Sequence, residues 1–148
     1  MTTKEAYILL GKPTTLKREL ARLQEKRNAL WLSCLPGAIQ YDTDRVKSSP
    51  ADKLPDRFAE IDQIDRDIER LEDERIHLIQ SLYRLIVNGL PYGREMIVLQ
   101  QYYLAGQSMS YIAEHLGVTY QHSFRIRRKA VEMFAELTEG SEGYDKRS

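Results

Sequence analysis

The chain has 148 residues, 22 basic and 22 acidic side chains, and 42% hydrophobic residues, enough for one ordinary domain or a small domain with an elongated appendage. No apolar run approaches the roughly 20 residues needed to cross a bilayer, and the amino terminus lacks the basic, apolar and small-residue order of a signal peptide. A cytoplasmic protein without a membrane partner is therefore expected. The single cysteine, Cys34, has no second cysteine with which to form an internal disulfide or share a metal, and is read as filling space along a helix.

The zero net charge is a cancellation between regions. Residues 1–34 hold seven basic and three acidic side chains (+4), whereas residues 52–88 hold six basic and ten acidic ones (−4), so the two segments are electrostatic complements. Residues 120–131 contain Arg125, Arg127, Arg128 and Lys129 with no acidic side chain, a local charge suited to a polyanion.

From Leu16, the positions Leu16, Leu20, Leu23, Arg27, Leu30 and Cys34 alternate in steps of four and three, a heptad seam interrupted by one arginine. The stretch CLPGAIQYDTDRVKSSPADKLP breaks the helix with prolines 36, 50 and 55 and Gly37. The seam then resumes at Ile61, Ile64, Ile68, Leu71, Arg75, Leu78, Leu82 and Leu85. Asp52 or Asp56 can cap this second helix, and NGLP at 88–91 ends it. Helices are expected over about 15–34 and 52–88, joined by a 36–51 loop; the second would be about 55 Å long at 1.5 Å per residue. A helix of that length with a narrow apolar stripe needs a partner, because most helical stability comes from packing the apolar face. The first helix folded back antiparallel is one partner; another copy of the chain is a second, and the two can coexist.

Beyond NGLPYG the apolar spacing becomes that of short globular helices: Met96, Ile97, Leu99 and Tyr103, then Gly106, then Ile112, Ala113 and Leu116, then Gly117. Ile112, Ala113, Leu116, Gly117, Val118 and Ile126 fall at helix-turn-helix spacings, with Ser108 or Ser110 placed to cap the first helix and Thr119 the second. Ser123 departs from the pattern, standing where an aliphatic residue is usual. Either Phe124 swings in to compensate or the hydroxyl bonds back into its own helix.

The segment REMIVLQQYYLAGQSMSYIAEHLGVTYQHSFRIRRKAVEMFAEL, residues 94–137, resembles region 4 of the sigma-70 class of RNA polymerase factors, which recognises the −35 promoter element. Arg94 and Glu95, the Leu99 and Tyr102 spacing, Gly106, YIAEHLGV, Ala130 and Leu137 carry the likeness. A long charged helical pair with a proline and serine-rich break ahead of such a domain is similar to small bacteriophage and prophage late transcription regulators of the ArpU and RinA kind. The resemblance implies an all-α chain: a long antiparallel, coiled-coil-like helical hairpin over 1–90, a sigma region 4-like helix-turn-helix domain over 91–138, and a flexible tail over 139–148. It also implies the cytoplasm of a bacterial host, double-stranded DNA as partner, contact with RNA polymerase, and a homodimer or higher homo-oligomer.

If Thr119 caps a recognition helix running to about 137, its first turns enter the major groove, which admits a helix and presents a distinct donor and acceptor pattern for each base pair. Ile126, Ala130 and Phe134 then face the core. Gln121, His122, Arg125, Arg128 and Lys129 lie on or near the outward surface. Gln121 is suited to adenine and Arg125 to guanine, Tyr120 and His122 to phosphate or base edges, and Arg128 and Lys129 to phosphates, which orient without reading sequence. Ser108 and Ser110, with Gln107, stand at a helix amino terminus, which favours anions. Arg127 falls between core and surface, open to an acidic partner or to DNA. His77 and His115 have no second ligand at metal spacing.

Two other functions compete: a DNA-packaging adaptor of the small terminase type, and a protein-interaction module that binds RNA polymerase without DNA. Neither a glycine-rich phosphate loop nor a cysteine and histidine cluster nor a nucleophile in a recognisable turn is present, so no enzyme and no cofactor are expected.

Overall fold

In a computed structural model that describes residues 1–36 and 53–145, the chain is α-helical with no strand among the described residues. The elements are α1 (Thr3–Ser33), α2 (Leu54–Gly89), α3 (Arg94–Val98), a π-helical segment (Leu99–Leu104) that continues α3, α4 (Met109–Leu116) and α5 (Tyr120–Asp145). Residues 37–52, which hold nearly all of the expected 36–51 loop, lie outside the described residues. No helix among them is long and apolar enough to cross a membrane.

Helix α1 begins at Thr3, well before the expected start near residue 15. Its amino terminus is fixed by Thr2, whose Oγ1 accepts a hydrogen bond from the Glu5 backbone N–H at 3.1 Å and donates one to the Glu5 carboxylate at 3.1 Å. This is a variant of the threonine and glutamate capping box. Pro13 lies inside the helix and deprives the Leu9 carbonyl of its usual donor, a substitution that costs about 3 kcal/mol in an exposed helix. Its ring is fully buried, and that burial opposes the cost.

The chain divides into two compact units, Leu16–Arg75 and Met1–Thr15 with Ile76–Ser148. The division falls within the two long helices instead of at 90/91, where the arm was expected to end. In the first unit the seam is thin. Leu16, Ile61, Ile64 and Leu71 are buried, whereas Leu20, Leu23, Arg27, Leu30, Cys34 and Ile68 are half-buried. Arg27 pairs with Asp65, through Nε to Oδ1 and Nη2 to Oδ2, and Arg57 donates to the Ser33 carbonyl at 2.8 Å, so late residues of α1 meet early residues of α2. Cys34, just past the end of α1, is half-buried and donates its thiol to the Leu30 carbonyl at 3.3 Å.

The second unit holds the larger core. Ala6 and Leu10 of α1, Leu82, Ile86 and Leu90 from α2 and the turn after it, Met96, Leu99 and Tyr103, and Ala130, Val131, Phe134 and Ala135 of α5 form one buried cluster. Leu85, expected on the seam, is 37% exposed and Ile86 is fully buried in its place. After Leu82 the buried positions are 82, 86 and 90, off the heptad's alternating steps, because a broad core takes a wider face of the helix than a narrow seam does. A Cβ added at Gly89 would come within 2.8 Å of Leu137 Cγ, so glycine at that position permits α5 to approach the end of α2. A smaller cluster of Val98, Met109, Ile112 and Ile126 takes in Tyr102, Leu116, Val118 and Phe124 and holds α4 against the start of α5. Helix α5 continues to Asp145, beyond the point where a flexible tail was expected at 139.

Candidate nucleic-acid interface

The local chemistry of residues 108–120 sets two helices at a fixed turn. Ser108 caps α4, its hydroxyl accepting from the Tyr111 N–H at 3.1 Å; Ser110 is exposed within the helix and does not cap. Gly117 ends α4 in the left-handed conformation (φ 69°), which a glycine adopts without a Cβ penalty. Its N–H bonds the Glu114 carbonyl at 3.2 Å and that of Val118 bonds the Ala113 carbonyl at 3.0 Å, the paired bonds of a Schellman motif. Val118 then packs into the smaller core cluster. Thr119 accepts from the His122 N–H at 3.1 Å and so caps α5.

The buried face of α5 is Ser123, Ile126, Ala130, Val131 and Phe134. Ser123 is fully buried and its hydroxyl donates to the Tyr120 carbonyl at 2.5 Å, which satisfies it inside its own helix. Phe124 also turns inward, against the smaller cluster and edge-on to Tyr120 at 4.9 Å between ring centroids. With that face fixed, Gln121, Arg125 and Arg128 are exposed at steps of four and three, which places them in one row along the helix. Tyr120 is 52% exposed beside the row, and His122 is half-buried.

Lys129 is exposed, but its Nζ lies 3.8 Å from the Glu95 carboxylate, so part of its charge is answered from α3. Among the described residues, Arg127 does not take the acidic partner that the sequence allowed. Its guanidinium carbon lies 4.8 Å from the centroid of the Tyr102 ring and 5.2 Å from that of Phe124, and it makes no ion pair among the described residues. Arg127 Nε and Gln101 Oε1 are buried without a hydrogen-bond partner among the described residues. Close by, burial pushes the Tyr103 phenol up to about 12; Tyr7 and Tyr102 add to the shift, and the positive charge of Arg127 acts against it.

Tyr111 and His115, one turn apart on α4, form an exposed stacked pair at 6.1 Å between centroids. The sequence pattern did not mark them for the interface, although their spacing of four is legible. No group of three or more His, Cys, Asp or Glu that could hold a metal ion occurs among the described residues. No protein-family model, curated protein or solved structure matches the chain.

Proposed function

We propose that this chain is a sequence-specific double-stranded DNA-binding regulator of phage or prophage transcription. Helices α4 and α5 act as a helix-turn-helix, with the first turns of α5 in the major groove, and the antiparallel pair of long helices acts as an arm for self-association or polymerase contact. The observation that carries the reading is the exposed row Gln121, Arg125 and Arg128, on a helix whose opposite face is locked by Ile126, Ala130 and Phe134. Recognition side chains must be held by a rigid element to discriminate bases, and this row is presented by a capped helix on a packed core.

The roles divide by position. Gln121 and Arg125, in the first two turns, are placed to read base edges, and a good bidentate contact contributes about 1–3 kcal/mol of discrimination. Arg128 and Lys129, further along, hold phosphates, as do the hydroxyls of Ser108 and Ser110 at the start of α4. Thr119, its hydroxyl engaged in the cap, orients α5, while Tyr120 and His122 flank the row. Arg125→Ala should relax preference at one base position, by about 1–3 kcal/mol, in equilibrium titrations against single-base variants of a selected site. Arg128→Ala should weaken all sites together and lower the slope of log K against log salt by about one unit. Equal effects of both substitutions on matched and unmatched duplexes would contradict the reading.

A further inference from the structure

The stretch 120–131 has no acid of its own, but the fold brings it one from another helix. Met96 and Ala130 belong to the same buried cluster, so the residues that precede them, Glu95 on α3 and Lys129 on α5, are set side by side at its edge. Glu95 Oε1 lies 3.8 Å from Lys129 Nζ. Arg125, Arg127 and Arg128 make no ion pair among the described residues, and neither does Glu132, three residues beyond Lys129 on the same helix. The acid that answers this basic stretch therefore comes from α3, and it answers Lys129.

The two partners are unequally held. The Glu95 side chain is 21% exposed, whereas that of Lys129 is 69% exposed on a flexible four-carbon stem. The carboxylate is the fixed member and the ammonium the movable one. Along α5, Lys129 stands one turn beyond Arg125, at the edge of the row that Gln121, Arg125 and Arg128 form. A phosphate drawn to that ammonium meets the Glu95 carboxylate, and two anions on one cation repel each other.

We propose that Glu95 competes with the DNA backbone for Lys129, so that an acid built into the fold lowers the affinity of α5 for every duplex without changing which bases it prefers. The inference rests on the regulator reading in taking α5 as the helix that meets DNA. A surface pair contributes little, so the affinity it withholds is about two- to fivefold at low salt. Salt screens this pair as well as the phosphate contact. Opening the pair therefore offsets part of the counterion release that Lys129 would otherwise give, and the wild-type salt dependence is shallower than its phosphate contacts alone would set. Phosphates carry no sequence information, so matched and unmatched duplexes are affected alike.

The test is equilibrium binding of the full chain to a random-sequence duplex across a salt series, with circular dichroism melting to confirm that each variant folds. Wild type, Glu95→Gln, Lys129→Ala and the double variant are compared. Glu95→Gln should bind about two- to fivefold more tightly than wild type at low salt, with the gain shrinking as salt rises and the slope of log K against log salt steeper by up to about one unit. In the Lys129→Ala background the same substitution should give no gain. Glu95→Asp, which keeps the charge on α3 but withdraws the carboxylate by one methylene, should show the same dependence on Lys129 at smaller size.

A gain of equal size with and without Lys129 would mean plain repulsion between the carboxylate and DNA, and would overturn the proposal. Unchanged or weaker binding by Glu95→Gln, with Lys129→Ala weakened, would overturn it too; both results leave the regulator reading standing. A gain that depends on Lys129, in a chain with no preference among duplexes, upholds the proposal and overturns sequence reading alone. Absence of binding by wild type and every variant overturns both.

Discussion

The same two helices are stabilised differently along their length. Between Leu16 and Arg75 the contact is a one-residue-wide seam in which Leu20, Leu23 and Leu30 remain half-buried and an arginine replaces one apolar residue. In the other unit, residues from the opposite ends of those helices join α3, the π segment and α5 in a core where Leu10, Leu82, Ile86, Leu99 and Phe134 are fully buried. Apolar area removed from water, at roughly 25 cal/mol per Å², favours the second arrangement. Apolar burial is thus concentrated in the unit of Met1–Thr15 and Ile76–Ser148, which also holds the exposed row Gln121, Arg125 and Arg128.

The comparison can be broken by truncating one residue in each region. Phe134→Ala, which empties the centre of the larger core, should cost about 3–5 kcal/mol in urea unfolding, whereas Leu23→Ala on the half-buried seam should cost well under half of that. Equal losses would mean that the seam, not the core, holds the chain together.

Alkaline titration sharpens the same contrast. Tyr103 ionises near 12 in the folded chain, against about 10 for an ordinary tyrosine in the unfolded one. Between those values the unfolded state has released a proton that the folded state still holds. Stability contributed by the neutral phenol is therefore full below pH 10 and falls as pH rises from about 10 to about 12. Tyr103→Phe should remove that part of the decline in urea unfolding at stepped pH; an unchanged decline would show that the phenol is solvated.

The smallest effect belongs to the seam. Arg27 and Asp65 pair with side chains 37% and 44% exposed, so a double-mutant cycle to alanine should return only the small coupling of a solvent-screened pair, diminishing with salt. A coupling several times larger would make the pair a principal support of the arm and invert the comparison.

Much of the layout was legible where local chemistry and burial agree. The bounds of α2, the caps at Ser108 and Thr119, the glycine turn at 117 and the buried face of α5 each follow from residue type at a fixed offset. The first turns of α1 were hidden because Gly11 and Pro13 oppose a helix locally, while the capping pair Thr2 and Glu5 and the packing of Ala6 and Leu10 favour it. Leu85 was preferred to Ile86 because a heptad was extended past the point where the seam becomes a core. The π segment has no periodic signature, and spacing alone leaves Arg127 between core and surface until Tyr102, distant in sequence, is placed under it.

The central claim is that α5 reads sequence in duplex DNA, and the most direct measurement is a selection of bound duplex fragments from a whole genome by the purified chain. It would be run at two salt concentrations beside a variant carrying Arg125→Ala and Lys129→Ala. The account predicts a discrete motif, recovered at both salts and lost in the double variant. Weak, salt-sensitive binding with no motif, or a motif that survives both substitutions, would contradict it.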